Sequence, residues 1–458
     1  MINIIEHLKK LADEYEKSND INREYLCYEQ ISYLLSENDE FIDKKLKSLN
    51  PTVNKVSIII LSYNQLEYTK ECIESIKATT NPNTYEIIVV DNNSNEETVQ
   101  WLKEQKDIVV RFNKENRGFP GGCNDGIEIA SKENDIFLLN NDTVVMNNSI
   151  FNLRMALYSN DSVGAVGAVS NYVSNYQMVG FNSGKKEDYF KFADENNITN
   201  ESRYDERTRL IGFAMLIKRE ALNKVGVLDE DFFPGNFEDD DLSLRLILNN
   251  YKLLVCWDSY IHHYGSVSFN KDPGKFFSVA IQNREKFKKK WGYDPNSVVT
   301  IYYDIPKYIK EEENILYLFG GTGINIVTLK RQFTNKKIFG YEENESLIKV
   351  LNNQSIELVD SLNDDEYNNY FDMVIMEDYE KILSDENYIK SINKKLINKT
   401  GNLLLIIAPD RYNYFNKLSI LDLGVLIKRV TTNGFELREN DINSDGNSIN
   451  YGMVKFVK

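Results

Sequence analysis

Three acidic groups in the chain could do phosphate, metal or proton-transfer chemistry. Asp91 closes an apolar run in the segment IIVVDNNS. A carboxylate at the end of a buried strand can accept hydrogen bonds from a base imide or a ribose hydroxyl, and Asp and Asn are equally at home as helix N-caps. The second group is Asn140-Asn141-Asp142 in LLNNDT. Asp142 offers the hard oxygen that Mg²⁺ or Mn²⁺ takes, and such an ion would bridge a diphosphate; the same tripeptide also suits a plain polar turn. The third is Glu238-Asp239-Asp240-Asp241 in FFPGNFEDDDLSLRL. Acids at a helix N-terminus answer the helix dipole, and Asp241 and Arg245 are spaced to pair along the helix. Four adjacent acids nevertheless repel each other more than capping requires, and a carboxyl with a raised pKa suits a general base. Just downstream, IHHYGSVSF holds two of the chain's 3 histidines, His262 and His263. Neighbours on a strand point to opposite faces, so at most one of them reaches a given metal.

The elements that must position these residues follow from hydropathy. From residue 55, VSIIILSYN, YEIIVVDNNS, IVVRFN and NDIFLLNNDT are short apolar runs, each followed by a helical stretch. Unbroken apolar runs suit strands buried on both faces of a parallel sheet, so the pattern predicts an open α/β fold with right-handed crossovers. Ligands of such sheets bind at the carboxyl ends of the strands, where Asn64, Asp91 and Asn140-Asn141-Asp142 fall. Residues 1–50 precede this domain as helices: Ile4, Ile5, Leu8 and Leu11 keep a 3.6-residue period, as do Tyr25, Tyr28, Ile31, Leu34 and Leu35, with a break at Ser18-Asn19-Asp20. So short a helical pair has little core, which predicts packing on the next domain, on a partner or on a second copy. A polar stretch over residues 295–313 marks a second boundary, giving domains over 1–50, 55–300 and 310–458. The last begins another βα series with NILYLFGGTGINIVTLK and continues through KKIFGYEEN, FDMVIMED, GNLLLIIAPD and YGMVKFVK.

Bulk composition narrows the function classes. The chain of 458 residues has a formal net charge of -16, which argues against nucleic-acid binding, because that affinity comes from clustered Lys and Arg. Its longest apolar runs fall well short of the ~20 residues of a membrane helix, and the N-terminus has no signal-peptide core. The 4 cysteines are widely spaced with no CxxC pair, which predicts reduced, buried thiols. These features predict a cytoplasmic protein, soluble or peripheral to the inner face of the membrane.

Taken in order, the segments SIIILSYNQ, IIVVDNNS, ENRGFPGGCNDGI, LLNNDT, IGFAMLIKRE, FFPGNFEDDDLSLR and HHYGSVS resemble those of the inverting family 2 glycosyltransferases with the GT-A fold, rhamnosyltransferase-type branch. The resemblance covers roughly residues 55–295 and implies a donor linked to UDP, dTDP or GDP, and a hydroxyl acceptor on a polysaccharide, a lipid-linked sugar or a bacterial surface protein such as flagellin. It further implies that Asp91 holds the nucleotide, that Ser62-Tyr63-Asn64 lies against the base, and that Arg117 and Gly118 border the nucleotide. The DxD element that carries the metal falls on Asn140-Asn141-Asp142, with Asn in place of the first acid, which leaves Asp142 as the carboxylate ligand and Asn140 and Asn141 as nucleotide-sugar contacts. A downstream histidine completes the shell in relatives, and His263 fits the spacing to Ser268 better than His262. The family's Glu-Asp pair falls on Glu238-Asp239, with Asp239 as the base.

Residues 314–458 resemble a class I methyltransferase fold. ILYLFGGTG stands where the family's glycine-rich loop closes the first strand, and Glu342 where an acid would hold the ribose of S-adenosylmethionine. Gly321 and Gly323 remain from that loop, but Tyr317 replaces its acid and Phe319 its first glycine. Such a domain either binds S-adenosylmethionine as a second transferase or serves as a degenerate scaffold or in acceptor recognition. No GxGxxG follows the first strand of either α/β domain, which argues against a nicotinamide oxidoreductase. A non-catalytic nucleotide-sugar-binding module is the remaining alternative.

Overall fold

The computed structural model describes residues 4–35, 37–174, 176–181, 183, 185–265, 273–296, 301–363, 365–397, 400–407, 418–444 and 448–458, without the side chains of 273–276. These form two compact units, Met1–Lys286 and Phe287–Lys458. No described helix is long and apolar enough to cross a membrane.

Unit 1 opens with three helices, α1 (Ile4–Ser18), α2 (Ile21–Leu34) and α3 (Glu40–Ser48). The break between the first two is a cap, as the Asp20 side chain accepts from the Arg23 amide. Leu8, Ala12, Leu26, Cys27 and Ile31 lie in the same buried cluster as Ile58 and Ile60 of the following strand. Arg23 pairs with Glu201 at 2.6 Å and Arg154 with Glu29 at 2.5 Å. The helices thus complete the core of unit 1.

The sheet then builds as β1 (Val56–Ser62), α4 (Leu66–Thr79), β2 (Tyr85–Asp91), α5 (Glu96–Glu104), β3 (Val109–Phe112), α6 (Gly118–Ile129) and β4 (Asp135–Asn140). There follow β5 (Thr143–Val144), α7 (Ser149–Leu157), β6 (Val163–Val169), α8 (Lys186–Asn196), β7 (Tyr204–Arg207), β8 (Ala214–Ile217) and α9 (Arg219–Val225). The unit closes with α10 (Glu238–Leu248), β9 (Lys252–Tyr260), β10 (His262–His263) and α11 (Pro273–Trp291), which carries the division between the units. The strand order is β3-β2-β1-β4-β8-β6-β9-β7, with β5 and β10 paired separately. The four strands read from the sequence are parallel, with Ser62 beside Asp91 and Leu61 beside Asn140. The rest is mixed, since β8 runs antiparallel to both β4 and β6, and β7 to β9. AMLI of β8 is buried throughout, as a parallel strand would be, so hydropathy could not reveal its direction.

Unit 2 contains β11 (Asn314–Leu318), α12 (Ile324–Gln332), β12 (Lys337–Tyr341), α13 (Glu345–Asn353), β13 (Met373–Met376), α14 (Glu380–Ser384) and α15 (Asn387–Lys395). It ends with β14 (Asn402–Ile407), α16 (Ile420–Thr432), β15 (Glu436–Ser444) and β16 (Ile449–Val457). The sheet order is β12-β11-β13-β14-β16-β15, and the final strand inserts antiparallel between β14 and β15. Alternate strand residues enter two separate cores, Leu316 and Leu318 on one side and Ile315 and Tyr317 on the other, so both faces are covered. The division at 286/287 precedes the polar stretch read as a boundary. Ile305, Tyr308 and Ile309, inside that stretch, are core residues of unit 2.

Candidate active site

The carboxyl ends of β2, β1 and β4 bring Asp91, the Tyr63-Asn64 turn and Asn140-Asn141-Asp142 to one edge of the sheet. Asp91 is buried, and its Oδ2 accepts from the Ser94 amide at 3.2 Å. Its Oδ1 is also buried and has no partner within the protein. A buried polar atom left unpaired costs free energy, so this oxygen is the part of the site most in need of a ligand. Asn64 adopts a left-handed φ of 56° and is locked to the β2–α5 loop, its amide donating to Ser94 Oγ at 2.8 Å and its Oδ1 accepting from the Asn95 amide at 2.9 Å. Tyr63 stays exposed beside it.

Ser62 and Asn141 brace this edge. Thr69 Oγ1 lies 3.2 Å from Ser62 Oγ and accepts from Asn141 Nδ2 at 3.0 Å. Through Thr69 these two side chains tie the end of β1 to the turn after β4.

Asn92 was not singled out from the sequence, yet it joins β2 to the Arg117-Gly118 loop. Its Oδ1 accepts from the Arg117 amide at 3.0 Å, and its Nδ2 donates to Asn116 Oδ1 at 2.9 Å and the Gly118 carbonyl at 3.1 Å. Gly118 has φ +68° and no room for a Cβ, which would fall 2.8 Å from Phe233 Cδ2 and Pro234 Cα. The Arg117 guanidinium is held by Asp125 and, at 2.7 Å, by Glu230.

The histidines separate as alternation on a strand requires. His263 Nε2 lies 3.1 Å from Asp142 Oδ1 and 3.3 Å from Asn140 Nδ2, while its Nδ1 is 2.7 Å from the Tyr172 carbonyl. A carbonyl only accepts, so Nδ1 carries the proton there. Nε2 then meets a carboxylate oxygen, and that contact needs a shared proton or a cation between the two atoms. His262 turns to the other face, stacked on Tyr189 at a centroid distance of 3.8 Å. Burial and the neighbouring His263 lower its pKa to about 4. It does not join the Asp142 contact, which corrects its place among the metal candidates. Among the described residues no three His, Cys, Asp or Glu side chains gather as a metal site. Ser266, Val267 and Ser268 of the HHYGSVS segment lie outside the described residues.

The acidic run opens α10, and its members have different partners. Asp241 pairs with Arg245 at 2.8 Å, and Asp240 with Arg209 at 2.9 Å. Burial raises the Asp240 pKa to about 7 against the pull of Arg209. Glu238 is buried with an unpartnered Oε2, and burial, then repulsion from Asp239, push its pKa well up. Asp239 is half-buried; its Oδ2 accepts from the Gly212 amide at 3.0 Å and its Oδ1 from the Asp240 amide at 3.0 Å. Gly212 precedes Phe213, whose carbonyl accepts from the Asn140 amide at 2.8 Å and whose ring stacks on His263 with centroids 5.3 Å apart. One short chain of contacts therefore joins Asp239 to the Asp142–His263 pair.

In unit 2, Gly321 (φ 57°) and Gly323 (φ 83°) form the loop after β11. Phe319 also adopts a left-handed φ, 57°, which a side chain makes costly. Its ring is buried against Tyr341 and Tyr388, and Lys381 Nζ lies 4.6 Å above it. Lys381 and Tyr388 are both bound to Glu343, at 2.5 and 2.6 Å. Glu342 Oε1 accepts from the Glu343 and Asn344 amides, at 2.8 and 3.2 Å. Tyr317 donates to the buried Glu377 at 2.6 Å. The groups that S-adenosylmethionine would use are thus engaged by the protein itself, and the residues present do not fit that cofactor. Residues 408–410, the end of the IIAPD segment, lie outside the described residues.

Comparison with known proteins places a family on this geometry. Residues 57–226 match the family model for "Glycosyl transferase family 2". The chain is similar to a poly(ribitol-phosphate) beta-glucosyltransferase of Bacillus spizizenii, 35% identical over 96 residues, 20% of this chain and 15% of that protein. It is also similar to a poly-beta-1,6-N-acetyl-D-glucosamine synthase of Staphylococcus epidermidis, 25% identical over 222 residues, 46% of this chain and 52% of that one. Among solved structures, a mannosyltransferase from Pyrobaculum calidifontis in complex with GDP-Man and Mn²⁺ is 16% identical, with a TM-score of 0.38, over 63% of this chain and 77% of that one. The chain spans about half or less of the length of the curated relatives it matches. Over residues 57–226, unit 1 is therefore similar to the glycosyl transferase family 2 domain.

Proposed function

We propose that unit 1 is an inverting glycosyltransferase of the GT-A type. It moves a hexose or deoxyhexose from a UDP-, dTDP- or GDP-linked donor to an acceptor hydroxyl. One observation supports this above the others: the unpartnered Asp91 Oδ1, the Asp142–His263 contact and the Asp239 carboxylate stand together in unit 1, whose residues 57–226, Asp91 and Asp142 among them, match the family 2 model. Asp91 accepts hydrogen bonds from the base or ribose, and the Gly118 loop approaches the nucleotide with its backbone. Asp142 and His263 fit a divalent cation, because both atoms could ligate it and His263 is held in the required tautomer by the Tyr172 carbonyl. The donor diphosphate and water would supply the remaining oxygens. Such an ion, when bound, neutralises charge on the leaving diphosphate. Asp239 takes the proton of the acceptor hydroxyl as its oxygen attacks the anomeric carbon from the face opposite the leaving group, in one displacement with inversion. The two named relatives are a poly(ribitol-phosphate) glucosyltransferase and a poly-N-acetylglucosamine synthase, which supports a polymer acceptor alongside a lipid-linked sugar or surface protein.

Incubation with a panel of UDP-, dTDP- and GDP-sugars tests this reading. We expect release of nucleoside diphosphate from one donor class, dependent on Mn²⁺ or Mg²⁺. Binding of a donor without release would favour the non-catalytic module, a reading to which Asn140, standing where an acid would strengthen the metal site, lends support.

For unit 2 we propose a methyltransferase-like scaffold without cofactor. The insertion of the last strand antiparallel beside β14, with a glycine loop after β11, supports the fold, and Phe319 and Lys381 close the crevice. Titration of the full chain with S-adenosylmethionine in a calorimeter is expected to give no binding heat at cofactor concentrations up to the millimolar range. A saturable isotherm would overturn the scaffold reading.

A further inference from the structure

Asn283 lies on α11, well apart in sequence from every acid of the site, and its side chain is 1% exposed. Its Nδ2 donates to the carbonyls of Phe232 and Gly235, both at 2.7 Å, with the Phe233 carbonyl at 3.5 Å. The carbonyl skipped in this series, that of Pro234, accepts from the Phe119 amide on α6 at 2.7 Å. One turn further along α11, Lys286 Nζ donates to the Asp231 carbonyl at 2.5 Å. The backbone of residues 231–235 is therefore held from two sides, by α11 and by the first turn of α6.

What this stretch leads into explains why the grip matters. Asn236 and Phe237 follow with φ of 78° and 72°, left-handed conformations that Asn accepts readily but that a bulky Phe adopts only where its surroundings enforce it. Phe237 is the N-cap of α10, and its carbonyl accepts from the Asp241 amide at 2.9 Å. The direction of the chain at 236–237 thus sets where Glu238 and Asp239 point. Capping does not account for this, since α10 begins without a side-chain cap.

We propose that Asn283 is a positioning residue for the Glu238-Asp239 pair, fixing the loop that aims Asp239 at the acceptor hydroxyl. The inference rests on the assignment of Asp239 as base. Asn283→Leu keeps the volume and removes both donors. It is expected to lower kcat for nucleoside diphosphate release from the donor that the panel selects by about 10-fold or more, the scale of a small misplacement of a reacting group. The loss in kcat should exceed any loss of calorimetric affinity for UDP, dTDP or GDP, since Asp91 and its loop are untouched and only the Gly118 turn packs on residues 233 and 234. In an Asp239→Asn background the same substitution should cost little more, because residues acting as one unit are not additive.

An equal loss in both backgrounds, or unchanged kcat in the Asn283→Leu single variant while Asp239→Asn is impaired, would overturn the proposal. Circular dichroism and the thermal midpoint check folding. Should the leucine variant not fold, Asn283→Ser, which keeps one donor, is put through the same cycle and read by the same criterion. Full activity of Asp239→Asn would instead remove the base assignment. Absence of turnover by the wild-type chain with every donor would remove the enzyme reading and this proposal with it.

Discussion

Asp239→Asn is expected to reduce sugar transfer by about 10²–10⁴-fold while leaving the fold and the nucleotide affinity intact. The amide is nearly isosteric, and its oxygen can still accept from the Gly212 amide, which the carboxylate does now at 3.0 Å. What it cannot do is take a proton. The loss should therefore appear in kcat, with the donor KM little changed, because an interaction made only in the transition state has been removed. Glu238 supplies the internal contrast. Burial and the adjacent Asp239 hold its carboxyl toward the neutral form, so Glu238→Gln replaces a protonated acid by an amide of the same shape. That variant should lose less than Asp239→Asn. Wild-type kcat in Asp239→Asn, or a larger loss in Glu238→Gln, would move the base elsewhere in the acidic run. Asp240 and Asp241 are already paired with Arg209 and Arg245.

The second large effect concerns the metal. Chelation with EDTA is expected to abolish nucleoside diphosphate release, and added Mn²⁺ or Mg²⁺ to restore it. Asp142→Ala should weaken metal-supported activity by more than about 100-fold, beyond what loss of an outer partner of a ligand costs. His263→Ala should act in the same assay, whereas His262→Ala should not act through the metal. His262 faces Tyr189 and its effect would come from packing. The readout is activity against metal concentration: Asp142 and His263 variants shift the half-saturating concentration upward, and a packing defect lowers the plateau. Full activity in EDTA would remove the metal from the mechanism and leave the Asp142–His263 contact as a hydrogen bond.

Much of this site was legible before the structure because it lies on strand ends. The runs before Asp91 and Asn140 are apolar on both faces, which fixed them as buried parallel strands and put their terminal polar residues at the ligand edge. The separation of His262 from His263 followed from side-chain alternation alone. Other residues left no comparable signal. Asn283 is a single polar residue in a lysine-rich helix, and only its burial against three carbonyls marks it. Tyr172 orients His263 through a backbone carbonyl, which any residue could supply. Asn92 is one of several asparagines after β2 and Arg209 one of many charged residues, and only the segments that each bridges mark them. Ser62 and Asn141 stand at the ligand edge, and the sequence did not reveal that Thr69 links the two. The closing of unit 2 was half legible. Phe319 in a glycine position was visible, but the clamp of Lys381 by Glu343 and Tyr388 depends on side chains converging from three elements.

The most direct measurement is nucleoside diphosphate release by the full chain from UDP-, dTDP- and GDP-sugars in Mn²⁺, run beside Asp239→Asn. The account predicts release from one donor class by the wild-type chain, lost in EDTA and reduced by about 10²–10⁴-fold in the variant. Release at equal rates by both chains, or by neither with any donor, would contradict it.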